Sequence, residues 1–165
     1  MKLFGSNMFG QAIKAAGVGA ALMLSVSAGL AQSSGPFAGF DGAWSGTGTV
    51  SLSDGSTERI RCRATYAVGG PRMNLSLTCA SDAYKFNLAA DVQAQGSAVT
   101  GSWSESSRNV NGELQGTAGG GQIDVFVQAA GFAASINLRT NGNKQVVQIS
   151  SKGEIRGVNI TMTKS

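Results

Sequence analysis

Cys62 and Cys79 are the only thiols in this chain, and it contains no histidine at all. Histidine is the commonest general base near neutral pH and the commonest metal ligand. Its absence excludes Ser-His-Asp and Cys-His nucleophilic sites and histidine-based zinc sites. The nine Asp and Glu residues do not make up the loss. Asp54 and Asp82 sit in turn segments, and strand parity points Asp91, Glu113 and Asp124 outward. No two carboxylates share an inward face at the spacing of an acid–base pair. The expectation is a non-catalytic protein with no cofactor and no metal. Three kinds of chemistry remain: one disulfide, one row of guanidinium groups and two indoles.

The disulfide follows from register. A hairpin centred on the turn "GGPR", between Gly70 and Pro71, sets Cys62 opposite Cys79, Ala64 opposite Leu77, Tyr66 opposite Leu75 and Val68 opposite Met73. Every apolar residue then meets another, which predicts a local cross-strand bridge worth about 3 kcal/mol in the chain-entropy account. The outward residues of the same strand are Arg59, Arg61 and Arg63. Such a stripe reads as a solvated face that discourages aggregation, or as a dock for an anionic head group, a polyanion or an acidic protein patch. The indoles belong to two similar stretches, "GAWSG" with Trp44 and "GSWSE" with Trp103 followed by Glu105.

Strands must position these groups. From Trp44 onward apolar and polar residues alternate with period two, and no window carries sustained helical periodicity. Turn clusters such as "SDGST", "AQGS", "AGGG" and "NGN" separate the runs. The prediction is an all-β fold: a single antiparallel up-and-down β-barrel of about eight to ten strands, since closure removes exposed edges and gathers every apolar face inside. The opposite faces carry Ser, Thr, Asn, Gln and Arg, not the apolar band of a membrane-spanning barrel. The first hairpin needs a three- or five-residue loop, because a two-residue "DG" turn would set Val50 opposite Arg59.

The chain reads in three parts. Residues 1–31 have Lys2 and Lys14, an apolar stretch and small residues before a cut after Ala31 or after Ala28, the pattern of a cleaved secretory signal peptide. Residues 32–40 read as a flexible N-terminal arm, and residues 41–165 as the barrel domain. Export to the periplasm or beyond is therefore expected, which agrees with a disulfide. Removing Lys2 and Lys14 from the thirteen Lys and Arg leaves eleven against nine acids, a net charge of +2. That balance supplies no concentrated basic face with interleaved aromatics, so nucleic acid is not an expected partner.

Gly42 and Trp44, at the start of the first strand of a meander, resemble the Gly-x-Trp signature of the calycins, the superfamily of lipocalins, fatty-acid-binding proteins and avidin-like barrels. The resemblance implies that Trp44 closes one barrel end against an Arg from the last strand, the place Arg156 takes by parity. The Thr-Asp-Tyr motif and C-terminal helix of lipocalins are missing, and the strand number is nearer that of fatty-acid-binding proteins. The chain also resembles small Gly/Ser-rich exported bacterial proteins, which implies an envelope location. Residues 32–40 resemble the N-terminal segment of small barrel inhibitors of metalloproteases.

Two functional expectations result. In the first, the barrel binds a small apolar or amphipathic, lipid-like ligand, in a cavity lined by Tyr66, Phe86, Leu88, Leu114, Val125 and Phe132. Inward glycines at 46, 48, 101, 112 and 116 leave that space, or else they mark bends and room for the indoles. In the second, the barrel is filled and the chain is an envelope protein–protein interaction module, an inhibitor-like role included. Trp44, Trp103, Arg156 and Glu105 then form a plug at the barrel end, unless Glu105 stays solvated at the rim.

Overall fold

The computed structural model describes residues 35–165; the signal-peptide segment and residues 32–34 lie outside them. Ten strands follow one another: β1 Gly42–Leu52, β2 Thr57–Gly69, β3 Arg72–Ala80, β4 Lys85–Gln95, β5 Ala98–Glu105, β6 Val110–Gly119, β7 Gln122–Ala129, β8 Phe132–Asn141, β9 Lys144–Ser151 and β10 Ile155–Lys164. Each pairs antiparallel with its sequence neighbours, and β1 pairs with β10 to close the barrel. Along most strands the apolar residues face in and the polar ones face solvent, while β9 sets the polar Gln145 inside and the apolar Val146 outside. Among the described residues the large apolar side chains left exposed are Tyr84, Phe126 and Val146.

The hairpins explain the registers. β2 and β3 meet with Cys62 opposite Cys79, Ala64 opposite Leu77, Tyr66 opposite Leu75 and Val68 opposite Met73, the expected pairing. Cys62 and Cys79 are bonded, 17 residues apart in sequence. The first hairpin has three loop residues, Ser53, Asp54 and Gly55, inside a Leu52 N–H to Ser56 carbonyl bond of 2.9 Å. Gly55 takes φ +86° there, a left-handed conformation that glycine adopts without steric cost. Asp54 accepts hydrogen bonds from the Ser56 amide and hydroxyl, which hold its carboxyl below the usual aspartate range.

The strands are tilted, so partners climb the barrel. Starting from Trp44, successive opposing residues are Ala64, Leu77, Leu88, Glu105 and Val110. That line runs from the start of β1 at one rim to the start of β6 at the other. Odd strands all run the same way, so Trp44 opens β1 at one end while Glu105 closes β5 at the opposite end.

The five inward glycines serve this geometry. A Cβ on Gly46, Gly101 or Gly116 would sit 1.9, 2.1 or 2.0 Å from a carbonyl oxygen of the neighbouring strand, and Gly48 and Gly112 are equally confined. Gly112 also makes room for the Trp103 indole, whose Nε1 would lie 2.7 Å from a Cβ there. These glycines therefore mark close approach of neighbouring strands and, at Gly112, space for a ring. They are not the source of an open cavity.

Two outcomes check this account. Gly46→Ala and Gly116→Ala are expected to lose roughly 1–3 kcal/mol in denaturant unfolding, the cost of forcing atoms into a packed site. Gly119→Ala, where nothing lies within 4 Å of the added Cβ, should stay near the parent value. Reduction of the Cys62–Cys79 bond should lower stability by about 3 kcal/mol, read as a fall in melting temperature under reducing conditions.

Candidate functional site

One end of the barrel is closed by residues just before β1. Pro36 to Phe40 form turns, with Phe37 and Phe40 at 0% exposure. Trp44, 1% exposed, donates from Nε1 to the Phe40 carbonyl at 2.8 Å, and the Phe40 ring lies 5.9 Å from that of Tyr66. The Asp41 carboxylate accepts the Val68 amide at 2.9 Å and fastens the segment to β2. The flexible arm expected for residues 32–40 is thus corrected over its described part. Removing two phenylalanine rings from water is favourable, and they carry the segment into the core.

Tyr66 belongs to this closure, not to a cavity lining. Its hydroxyl donates to Gln145 Oε1 at 3.0 Å, and Gln145 Nε2 donates to Thr140 Oγ1 at 3.2 Å. Burial pushes the phenol well above its ordinary pKa, with the Gln145 hydrogen bond opposing it. Gln145 is itself fully buried, and no buried side-chain polar atom among the described residues lacks a partner.

Arg156 takes no part in a plug. β10 carries a bulge where Ser51 opposes Gly157 but Leu52 opposes Ile155, and Arg156 is the extra residue. One inserted residue reverses the facing of everything before it. Arg156 is exposed and donates to the Lys152 carbonyl at 2.9 Å, at the end away from Trp44. The cation beside Trp44 is Lys164, whose Nζ lies 5.5 Å from the ring centroid. Trp44, Arg156 and Glu105 therefore form no common cluster.

The opposite rim is built around Trp103, Glu105 and Arg108. Trp103 donates to the Glu113 carbonyl at 3.1 Å and meets Phe132 edge to face at 5.8 Å. Glu105, 6% exposed, caps the following turn: Oε1 accepts the Asn87 and Ser107 amides at 2.9 and 3.0 Å, and Oε2 accepts the Arg108 amide at 2.8 Å. Burial raises its pKa, but these backbone donors and the Ser107 side chain outweigh it and hold the carboxyl below its usual value. The Arg108 guanidinium stacks 4.6 Å from the Phe86 centroid and 5.8 Å from that of Tyr84.

Between the two ends, the inward apolar residues are unevenly covered. Leu75, Leu77, Leu88 and Ala90 on β3 and β4 remain half-buried, and so do Val125, Ile136 and Ile149 on β7 to β9. In this closed ring of ten, β3 stands opposite β8 and β4 opposite β9, so these residues form two facing walls. Leu77 faces Leu88 and Cys79 faces Phe86 across the β3–β4 pair, which continues one wall to the rim at Tyr84 and Arg108. Of the six residues expected to line a cavity, Phe86, Leu88, Val125 and Phe132 are half-buried, whereas Tyr66 and Leu114 are buried.

The outer wall places Arg59, Arg61 and Arg63 together on β2, all exposed. Across the barrel, Asp124 accepts hydrogen bonds from Gln122 and Asn137 in a shallow depression beside Phe126. No set of Cys, Asp and Glu among the described residues is arranged to hold a metal. Sequence reasoning did not find Phe37, Phe40, Arg108 or Lys164. The available signal was two phenylalanines in nine residues of an otherwise small-residue segment.

No protein-family model matches the chain, and no curated protein matches its sequence. Solved structures do match its fold. The crystal structure of Rv2717c from M. tuberculosis is similar with a TM-score of 0.63 at 13% identity, over 76% of this chain and 92% of that one. The likeness is one of architecture.

The capping carboxylate gives a pH test. Because the folded Glu105 pKa lies below the ordinary value near 4.5, its stabilising contribution is complete above that value. It is lost as pH falls through the lowered folded value. Glu105→Gln should cost about 1 kcal/mol at neutral pH, since an amide offers one acceptor oxygen to three part-buried amide donors. The variant should also show a shallower loss of stability on acidification, measured by chemical unfolding across the acid range.

Proposed function

We propose that this protein is a non-catalytic exported binding protein whose barrel takes a small apolar or amphipathic, lipid-like molecule. The observation that carries this reading is the pair of facing walls, Leu75, Leu77 and Leu88 against Val125, Ile136 and Ile149, inward-facing apolar side chains that pack on the core but are only partly buried. Apolar groups left uncovered in an interior forfeit burial energy that a bound apolar chain restores. The end with Phe37, Phe40 and Trp44 is shut, so the ligand enters past Tyr84, Phe86 and Arg108. There a polar head group rests beside the guanidinium while its apolar part passes Leu88. Carriage of this kind matches the calycin resemblance of Gly42 and Trp44. Export is part of the same proposal, supported by the pattern of residues 1–31 and by the Cys62–Cys79 bond.

A second reading, an envelope interaction module with a filled barrel, is favoured by the Trp103–Phe132 pair and by the crowding at the five glycines. Native mass spectrometry of protein taken from the exporting cell separates the two, a lipid-sized adduct being expected for carriage. Titration with a dansyl-labelled fatty acid is expected to show saturable binding. Leu77→Trp and, on the facing wall, Ile136→Phe should each weaken it by about tenfold or more, equivalent to at least ~1.4 kcal/mol. Absence of an adduct, together with probe binding unaffected by both variants, would leave the interaction module as the better reading.

A further inference from the structure

The three arginines of β2 have no structural task in a closed barrel. A row of like charges on a strand commonly protects an exposed sheet edge, but β2 is hydrogen-bonded to β1 on one side and β3 on the other. Their cross-strand neighbours are uncharged: Arg63 lies between Ser45 and Thr78, Arg61 between Thr47 and Ala80, and Arg59 beside Thr49. Glu58, next in sequence, has the opposite parity and accepts the Ser81 hydroxyl at 2.9 Å. The outward acids Asp91, Glu113 and Asp124 belong to β4, β6 and β7, with β7 directly across the barrel from β2. Three guanidinium groups thus share one wall in a field of hydroxyls, and two of them, Arg61 and Arg63, border a shallow depression with Ser45, Thr47 and Thr78.

From this arrangement we infer that the β2 wall binds an acidic polysaccharide lying along the strand. Alternate residues of a strand are about 6.7 Å apart, so the arginines present a linear ladder of charge to a chain with repeated anionic groups. Ser and Thr hydroxyls on both flanks supply donors and acceptors for sugar hydroxyls. The same flanks argue against two other polyanionic partners. They hold no aromatic ring on which nucleic-acid bases would stack, and no apolar side chain that would enter a lipid bilayer. The inference concerns the outer wall and does not rest on the interior ligand.

Calorimetric titration with heparin oligosaccharides and with oligogalacturonate tests it, at low and at physiological salt. The parent protein is expected to bind at least one of these glycans, more weakly as salt rises. The triple variant Arg59→Gln, Arg61→Gln, Arg63→Gln should lose about tenfold or more in affinity at an unchanged melting temperature. Arg156→Gln, off this wall, should bind as the parent does. The inference is overturned if the parent binds neither glycan or if the triple variant binds equally well. Tighter binding to phosphatidylglycerol vesicles, single-stranded DNA or polyglutamate than to either glycan also overturns it. A triple variant with a lowered melting temperature would be replaced by Arg61→Glu, expected to lose binding with its fold intact.

Discussion

The hydrogen-bonded seam between β1 and β10 is the constraint on which the rest of this molecule depends. Without it the ten strands would form an open meander with two bare edges and one uncovered apolar face. With it, every alternating row turns inward at once and the chain has no edge left to protect. Closure also forces the strands to tilt, which lifts the line of partners from Trp44 to Val110 across the full height of the barrel. Neighbouring backbones come close together at Gly46, Gly101 and Gly116, where a methyl group does not fit.

Closed walls leave two ends, and the chain treats them differently. At one, a short turn carrying Phe37 and Phe40 covers Trp44, and the buried Tyr66 and Gln145 beneath it bond to each other and to the half-buried Thr140. At the other, Glu105 is taken up by backbone amides of its own turn, and Arg108 lies over Phe86. A carboxylate tied to three amide donors needs no cationic partner, and Arg156 is turned to solvent by the β10 bulge. The half-buried residues of β3, β4 and β7 to β9 lie between these ends, on facing walls that only closure brings together.

Much of the fold was legible because strand periodicity is a local property. Parity along Ile60, Cys62, Ala64 and Tyr66 is enough to choose the inner face, and a short turn carries that choice across to Met73, Leu75, Leu77 and Cys79. The candidate site was legible in part. Parity put Phe86, Leu88, Val125 and Phe132 on the inner face, where they are half-buried, but parity reports direction and not depth, and Tyr66 and Leu114 on the same face are buried. Arg156 was misplaced because a bulge breaks the count, and nothing in "EIRGVN" announces the inserted residue. Phe37 and Phe40 were passed over because they lie in no periodic run.

Alternation and turn residues determined, from the sequence alone, an all-β meander, the inner face of most strands and the Cys62–Cys79 pairing. Each depends on residues a few positions apart. Tertiary structure decided which rim is plugged, which glycines are crowded, that Lys164 and not Arg156 stands beside Trp44, and that the β2 arginines lie on an interior strand. Those features depend on how β1 meets β10 and how far the strands tilt, a relation between residues at opposite ends of the chain. Local pattern sets the direction of a side chain, and long-range register sets what it meets.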